Sequence, residues 1–290
     1  MERIAKALEI ARIHGDADWG ANEPPRIPDR APAAPGSGGR VAASMVQYTQ
    51  TRRVQVSPDA LRDNLVTGGH ERTPVAEAFK RIRTQVVQRM RETGSNTLGI
   101  ASPRSGEGKT TVALNLAVHA AMEPDWTVLV VEADVRHPGL SKALGLGAQP
   151  GLSDYLVNDK PLEELLIDPG LGRCILLPAG PSVPGSSEAL GSSRMRDLVQ
   201  ELKQRYPDRI VIFDLPPLLD SADGIAVLPW VESLILVVEE GRTATEDVLR
   251  SAQLVGNDRL IGTVLNKSSV AVTTPGQRPG LLRRLLTGAQ

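Results

Sequence analysis

The stretch TLGIASPRSGEGKTTVALNLA, Thr97 to Ala117, constrains the fold more than any other part of this chain. A short apolar run, TLGIA, gives way to a glycine-bearing turn, and the turn to a long helical pattern. Gly106 and Gly108 permit backbone conformations that other residues disfavour, and let N–H groups converge on an anion with no Cβ in the way. The N-terminus of the following helix adds the positive end of its dipole. A short strand of this kind needs other strands to pair with.

The sequence supplies them. TVLVVE, CILLPAG, RIVIFD, SLILVVEE and LIGTVLN are short runs without a polar face, separated by longer helical stretches. Runs of this kind, alternating with helices, predict an α/β fold with a mostly parallel sheet and helices on both faces. Right-handed crossovers then bring the C-terminal ends of the strands to one edge, where ligands bind.

A length of 290 residues is enough for one such domain with appendages. Residues 57–268 are assigned to it. Ser57 and Pro58 cap a short helix in SPDALRDNLV. A longer helix is expected in TPVAEAFKRIRTQVVQRM, where Val75, Phe79, Ile82, Val86 and Met90 form an apolar stripe. Glu77 and Lys80 fall off that stripe and Arg83 on its flank, leaving them to meet something other than this domain's core. Residues 1–14 read as a short amphipathic helix, with Ile4, Leu8 and Ala11 on one face. Residues 15–56 read as a Pro/Gly-rich linker. Residues 269–290 read as a flexible basic tail, in which GLLRRLL is too short to hold a helix alone.

Composition narrows the function. Lys and Arg total 33 against 34 for Asp and Glu, which argues against a protein that coats nucleic acid, and no nucleic-acid partner is expected. Cys174 is the single cysteine, so no internal disulfide forms, and no Cys/His cluster has metal-ligand spacing. No apolar run reaches the roughly 18 residues of a membrane span, and the charged N-terminus lacks the apolar core of a signal peptide. The expected location is the cytoplasm.

The chemistry lies at the strand ends. Ser105, Gly106, Glu107, Gly108, Lys109, Thr110 and Thr111 form a candidate phosphate-binding turn. Lys109 can reach β- and γ-phosphates, and the Thr110 hydroxyl can ligate Mg²⁺. The pattern G-x-x-x-x-G-K-[ST] is incomplete, because Pro103 stands where its first glycine belongs. The run TVLVVE ends at Glu132, with Asp134 and Arg136 just beyond, and RIVIFD ends at Asp214. An Asp delivered by an apolar strand is the Walker B arrangement, and Asp134 would lie near the γ-phosphate and the attacking group. Either carboxylate alone reads equally as a loop cap. With the turn on the same sheet edge, they point to a metal–nucleotide site, with Thr110, Asp134 and Asp214 as the metal-binding candidates. Asn266, at the end of LIGTVLN, reads either as an amide facing the N6/N7 edge of adenine or as a turn former.

Taken in order, EAFKRIRTQV, SPRSGEGKTT, EADVRHPGL, GLSDYL, LLPAG, FDLPPLLDSAD and VLN resemble the kinase domain of bacterial tyrosine kinases. These are P-loop autokinases of capsule and exopolysaccharide synthesis, with MinD/ParA-type ATPases as wider relatives. The resemblance spans roughly Thr73 to Lys267. The N-terminal helix and linker look like the single-chain form found at exopolysaccharide and protein-sorting loci. It implies a P-loop NTPase fold that uses ATP and Mg²⁺, with Lys109 and Thr110 as the Walker A pair. Asp134 and Arg136 match the second and third positions of the Walker A′ signature, and Asp214 matches the Walker B aspartate. It implies a homo-oligomeric ring docked through E-x₂-R-x₂-R, here Glu77, Lys80 and Arg83, with lysine in place of the first arginine. It also implies a transmembrane polysaccharide co-polymerase or activator that holds the chain at the inner face of the cell membrane.

The sequence departs from that family in two places. Glu132 replaces the first Walker A′ aspartate, one methylene longer. The tail from Ser268 to Gln290 has no tyrosine, and the chain has only Tyr48, Tyr155 and Tyr206. Tyr155 and Tyr206 read as structural, leaving Tyr48 as the candidate acceptor. A MinD/ParA-like ATPase switch therefore stands as an alternative, with Arg104 at the signature-lysine position, as does a catalytically silent nucleotide-binding adaptor.

Overall fold

The computed structural model describes residues 51–204 and 209–268. The expected helix at 1–14, nearly all of the linker, Tyr48, Tyr206 and the tail at 269–290 lie outside the described residues.

Six expected strands form where their apolar runs stand: β2 (Thr97–Ala101), β3 (Thr127–Glu132), β5 (Cys174–Leu177), β6 (Arg209–Asp214), β7 (Ser233–Glu239) and β8 (Leu260–Asn266). Two further strands, β1 (Arg52–Arg53) and β4 (Ile167–Asp168), have two residues each, too few for any alternation to reveal. The sheet order is β1-β4-β5-β3-β6-β2-β7-β8. All pairings are parallel except β4 with β5. The expectation of a mostly parallel sheet holds. β1 departs from the expected linker, since sheet pairing begins upstream of Ser57.

Both sheet faces are buried, the reason these strands lack a polar side. Leu129 and Val131 of β3 point into one core with Val211 and Phe213 of β6, and Val128 and Val130 point into the other with Ile210 and Ile212. Helices α1 (Pro74–Thr93) and α2 (Lys109–Ala120) cover the second face. Helices α3 (Ser193–Gln204) and α4 (Thr245–Val255) cover the first.

Local signals set the helix ends. The Thr73 hydroxyl accepts from Ala76 N at 3.1 Å, Pro74 opens α1, and Gly94 closes it at φ +67°. Ser57 caps the helix Pro58–Asp63 in the same way. Phe79, Val86 and Met90 are buried as the stripe requires, with Ala76 and Val87 beside them. Val75 is not: at the first turn it is 48% exposed, beyond the reach of the sheet.

Register places the site. Asp214, at the end of β6, lies opposite Ile100 of β2 on one side and Glu132 of β3 on the other. Three strand ends therefore converge where the chain leaves β2 for the glycine turn.

Candidate active site

The turn between β2 and α2 has the shape its glycines predict. Gly106 and Gly108 adopt φ of +83° and +95°, the left-handed region. Gly108 is also hemmed in, because a Cβ there would stand 2.1 Å from Asn266 Nδ2. Gly108 caps α2 without a side chain, so the N–H groups of the first turn stay available to an anion.

Lys109 and Asp134 come together. Lys109 Nζ donates to Asp134 Oδ2 at 3.0 Å, and the Asp134 carboxylate is nearly buried. Its other oxygen accepts the His137 N–H at 3.1 Å. Thr110 and Asp214 also meet, the hydroxyl donating to Asp214 Oδ2 at 2.7 Å. Burial pushes the Asp214 carboxyl up to about 7, against the pull of Lys109 and the Thr110 hydrogen bond. Asp214 Oδ1 is buried without a hydrogen-bond partner. A cation beside this carboxylate would satisfy that orphaned oxygen and relieve its desolvation. Among the described residues no cluster of three or more His, Cys, Asp or Glu has the makings of an all-protein metal site. Mg²⁺ does not need one, since it keeps waters and leans on phosphate oxygens.

Glu132 behaves differently from its aspartate neighbours. It is fully buried. Oε1 accepts from Leu140 N at 2.6 Å and Ser141 N at 3.2 Å, while Oε2 accepts from Ser141 Oγ at 2.7 Å and Ala179 N at 3.1 Å. Four donors occupy the carboxylate. The extra methylene carries it past the phosphate side to tie the loop after Asp134 to the end of β5. Gly139, in that loop, lies against Thr110: a Cβ there would be 3.1 Å from the hydroxyl.

The remaining candidates divide. Arg136 is held elsewhere, its Nε donating to Asp223 Oδ2 at 2.9 Å and Ser186 Oγ at 2.8 Å. The Ser105 N–H is held by Asp220 Oδ2 at 2.8 Å. Glu107 is buried as a brace, accepting from Arg104 N at 3.0 Å and Thr243 Oγ1 at 2.5 Å, and burial raises its carboxyl. Thr111 is half-buried in the first turn of α2. The Asn266 amide donates to Glu107 O at 2.9 Å, so it props the turn from the far strand.

Several partnerships at this edge were not legible in the sequence. Arg104 grips Asp247 through Nε and Nη2, at 2.9 and 3.0 Å, and Asp220 through Nη1 at 2.9 Å. Lys267 Nζ donates to Gly106 O at 2.8 Å and pairs with Glu239 at 3.0 Å. Arg242 also stands over the turn, near Gly106. Asp220 falls within the quoted DLPPLLDSAD, but nothing in its pattern points to a partner more than a hundred residues away.

On α1, Lys80 bonds Glu77 at 2.7 Å and the Glu71 carbonyl at 2.9 Å, and Arg83 pairs with Glu123 at 3.1 Å. Lys80 and Arg83 are thus engaged by polar groups of their own chain outside the core.

The nucleotide-binding domain of the CobQ/CobB/MinD/ParA family matches residues 98–285. The chain is 28% identical over 208 residues to the tyrosine-protein kinase YwqD of Bacillus subtilis, covering 71% of this chain and 86% of that protein. It is 29% identical over 205 residues to the succinoglycan biosynthesis transport protein ExoP of Rhizobium meliloti, covering 69% of this chain and 26% of that one. Among solved structures, the kinase domain of the Escherichia coli tyrosine kinase ETK superposes with a TM-score of 0.65 at 28% identity, covering 78% of this chain and 86% of that domain.

Proposed function

The chain belongs to the CobQ/CobB/MinD/ParA nucleotide-binding domain family, and we propose that within it this protein is an ATP- and Mg²⁺-dependent tyrosine autokinase that serves extracellular polysaccharide synthesis or export. The observation that carries this reading is the pairing of Lys109 with Asp134 and of Thr110 with Asp214 at the mouth of one glycine turn. Similarity to YwqD, ETK and ExoP supplies the reaction and the pathway.

The residues divide the work. Lys109 and the free N–H groups at the start of α2 hold the phosphates and neutralise charge as it develops. Thr110 and Asp214 hold Mg²⁺, which when bound supplies further neutralisation of the phosphate oxygens. Asp134 accepts or orients the proton of the incoming phenol, which at a free pKa of about 10 still carries it at neutral pH. Glu132 fixes the loop that carries Asp134. Arg136, held by Asp223, borders the site. Arg104, at the position of the MinD/ParA signature lysine, is occupied within its own chain by Asp220 and Asp247, which counts against the switch reading.

The same reading places Glu77, Lys80 and Arg83 at a ring contact between copies. Lysine at 80 lacks the planar fork of arginine, so this contact is weak. No helix of the described residues is long and apolar enough to cross a membrane. We place the chain at the inner face of the cell membrane through a transmembrane co-polymerase.

Incubation with ATP and Mg²⁺, followed by mass-spectrometric mapping, tests the reaction. Phosphotyrosine in the wild type and none in Lys109→Ala is expected. Phosphate release with no phosphotyrosine in any fraction would mark an ATPase switch instead.

A further inference from the structure

Two residues past Asp134, Arg136 carries an incomplete ion pair. Its Nε donates both to Asp223 Oδ2 at 2.9 Å and to Ser186 Oγ at 2.8 Å. The Ser186 hydroxyl donates in turn to the same Asp223 oxygen at 2.7 Å. Asp223 and Ser186 are each 1% exposed, while the Arg136 side chain is 47% exposed. A buried pair therefore grips the Nε of a half-exposed guanidinium.

Arginine and carboxylate commonly close a two-bond fork. This pair does not. Nη1 and Nη2 of Arg136 have no partner among the described residues, and Asp223 Oδ1 is buried without one. A buried oxygen left unpaired costs free energy, so a pair made only to hold loops together would be more stable closed. The open form leaves a planar pair of N–H₂ groups for a second oxyanion.

The strand order points to which oxyanion. Lys109 reaches Asp134 from the turn after β2, whereas Ser186 reaches Arg136 from the connection after β5, and β3 and β6 lie between those two strands. In-line transfer puts ADP and the acceptor on opposite sides of the γ-phosphorus. With the nucleotide on the β2 side, a guanidinium tethered from the β5 side meets the acceptor. His137 and Lys142, on the same connection as Arg136, are exposed as well. The complement of such an edge is acidic.

We propose that Arg136 selects the acceptor: its free N–H₂ pair takes the carboxylate of an acidic residue flanking the tyrosine, and Asp223 and Ser186 are the positioning residues that aim it. This rests on the kinase reading above. The tyrosine recognised in this way belongs to another protein. Tyr155 packs on the core with the Arg194 guanidinium 4.8 Å over its ring. Tyr48 has no acidic residue within four positions, and Tyr206 stands among Lys203, Arg205 and Arg209.

The test incubates the full chain with ATP, Mg²⁺ and either of two synthetic peptides, one with a tyrosine flanked by glutamates and one with the same tyrosine flanked by glutamines. Initial rates of phosphotyrosine formation are read by mass spectrometry. The wild type is expected to use the glutamate peptide with a kcat/KM higher by about tenfold or more. Arg136→Lys keeps the charge but not the fork, and is expected to lose most of that preference through KM for the peptide and not through KM for ATP. Asp223→Asn and Ser186→Ala are expected to raise KM for the glutamate peptide several-fold, acting there and not on kcat, with Ser186→Thr restoring it. Equal use of both peptides by the wild type, a preference that survives Arg136→Lys, or self-labelling with neither peptide labelled overturns the proposal and leaves the kinase reading standing. So does a raised KM for ATP in Arg136→Lys, which would put the γ-phosphate on the fork. An equal loss on both peptides in Asp223→Asn and Ser186→Ala makes these residues structural and overturns their positioning role. No phosphotyrosine on chain or peptide overturns both readings.

Discussion

Glu132 Oε1 accepts the Leu140 N–H at 2.6 Å, which makes this carboxylate an anchor for the loop behind Asp134 and leaves no lone pair facing a metal. Glu132→Gln puts an amide N–H₂ against a backbone or hydroxyl donor and costs about 1–3 kcal/mol. Glu132→Asp retracts the carboxylate by a methylene and gives up part of the same set. Both variants are expected to melt earlier and to lower kcat while leaving the Mg²⁺ concentration for half-activation unchanged. Thermal melts and Mg²⁺ titrations check this, and a shifted Mg²⁺ requirement would make Glu132 a ligand after all.

Lys109→Ala removes the phosphate contact and also strands a buried carboxylate. Breaking a buried pair from one side costs about 3–5 kcal/mol, more than removing both partners. The single variant is therefore expected to be inactive and less stable, and Lys109→Ala/Asp134→Ala to regain stability but not activity. Urea midpoints alongside phosphoryl-transfer assays separate the two effects.

Arg104 holds the turn to the start of α4 and to the loop after β6. Asp247 and Asp220 both raise its already high pKa, so the guanidinium stays charged at every working pH. Arg104→Lys keeps the charge but loses the fork. The expected result is a several-fold higher KM for ATP with little change in melting temperature. An unchanged KM would show that the turn keeps its shape without the grip.

His119 is buried against Phe79, with ring centroids 6.0 Å apart, and its Nε2 meets Thr67 Oγ1 at 3.0 Å. Burial lowers its pKa, Lys80 and Arg83 push the same way, and Glu71 and Glu77 oppose them. The unfolded chain then binds the proton first. The contribution is fully present above the unfolded value of about 6.5 and is lost as pH falls through the folded value. Urea midpoints are expected to fall between pH 7.5 and 5.5, and the slope to flatten in His119→Phe. An equal slope in that variant would assign the titration elsewhere.

Much of the fold is legible in sequence because the strands are buried on both faces and need no alternation to announce themselves. The six runs from TLGIA to LIGTVLN all became strands, and TPVAEAFKRIRTQVVQRM became a helix with its cap at Thr73. β1 and β4 were invisible, since a two-residue strand has no pattern of its own and exists only through its neighbour. Val75 fits the helical period yet lies outside the core, because period describes a helix and not where the sheet stops.

The site divides along the same line. Gly106, Gly108, Lys109, Thr110, Asp134 and Asp214 could be named from sequence, because phosphate and metal chemistry demand particular residue types beside a strand end. Only the tertiary structure decided what each carboxylate does there. Asp134 meets Lys109, Asp214 meets Thr110, and Glu132, two residues from Asp134, ties down a loop instead. The physical reason is that a carboxylate's role follows from the donors around it. At this edge those donors come from loops that the sheet alone brings together, as in the 143-residue step from Arg104 to Asp247.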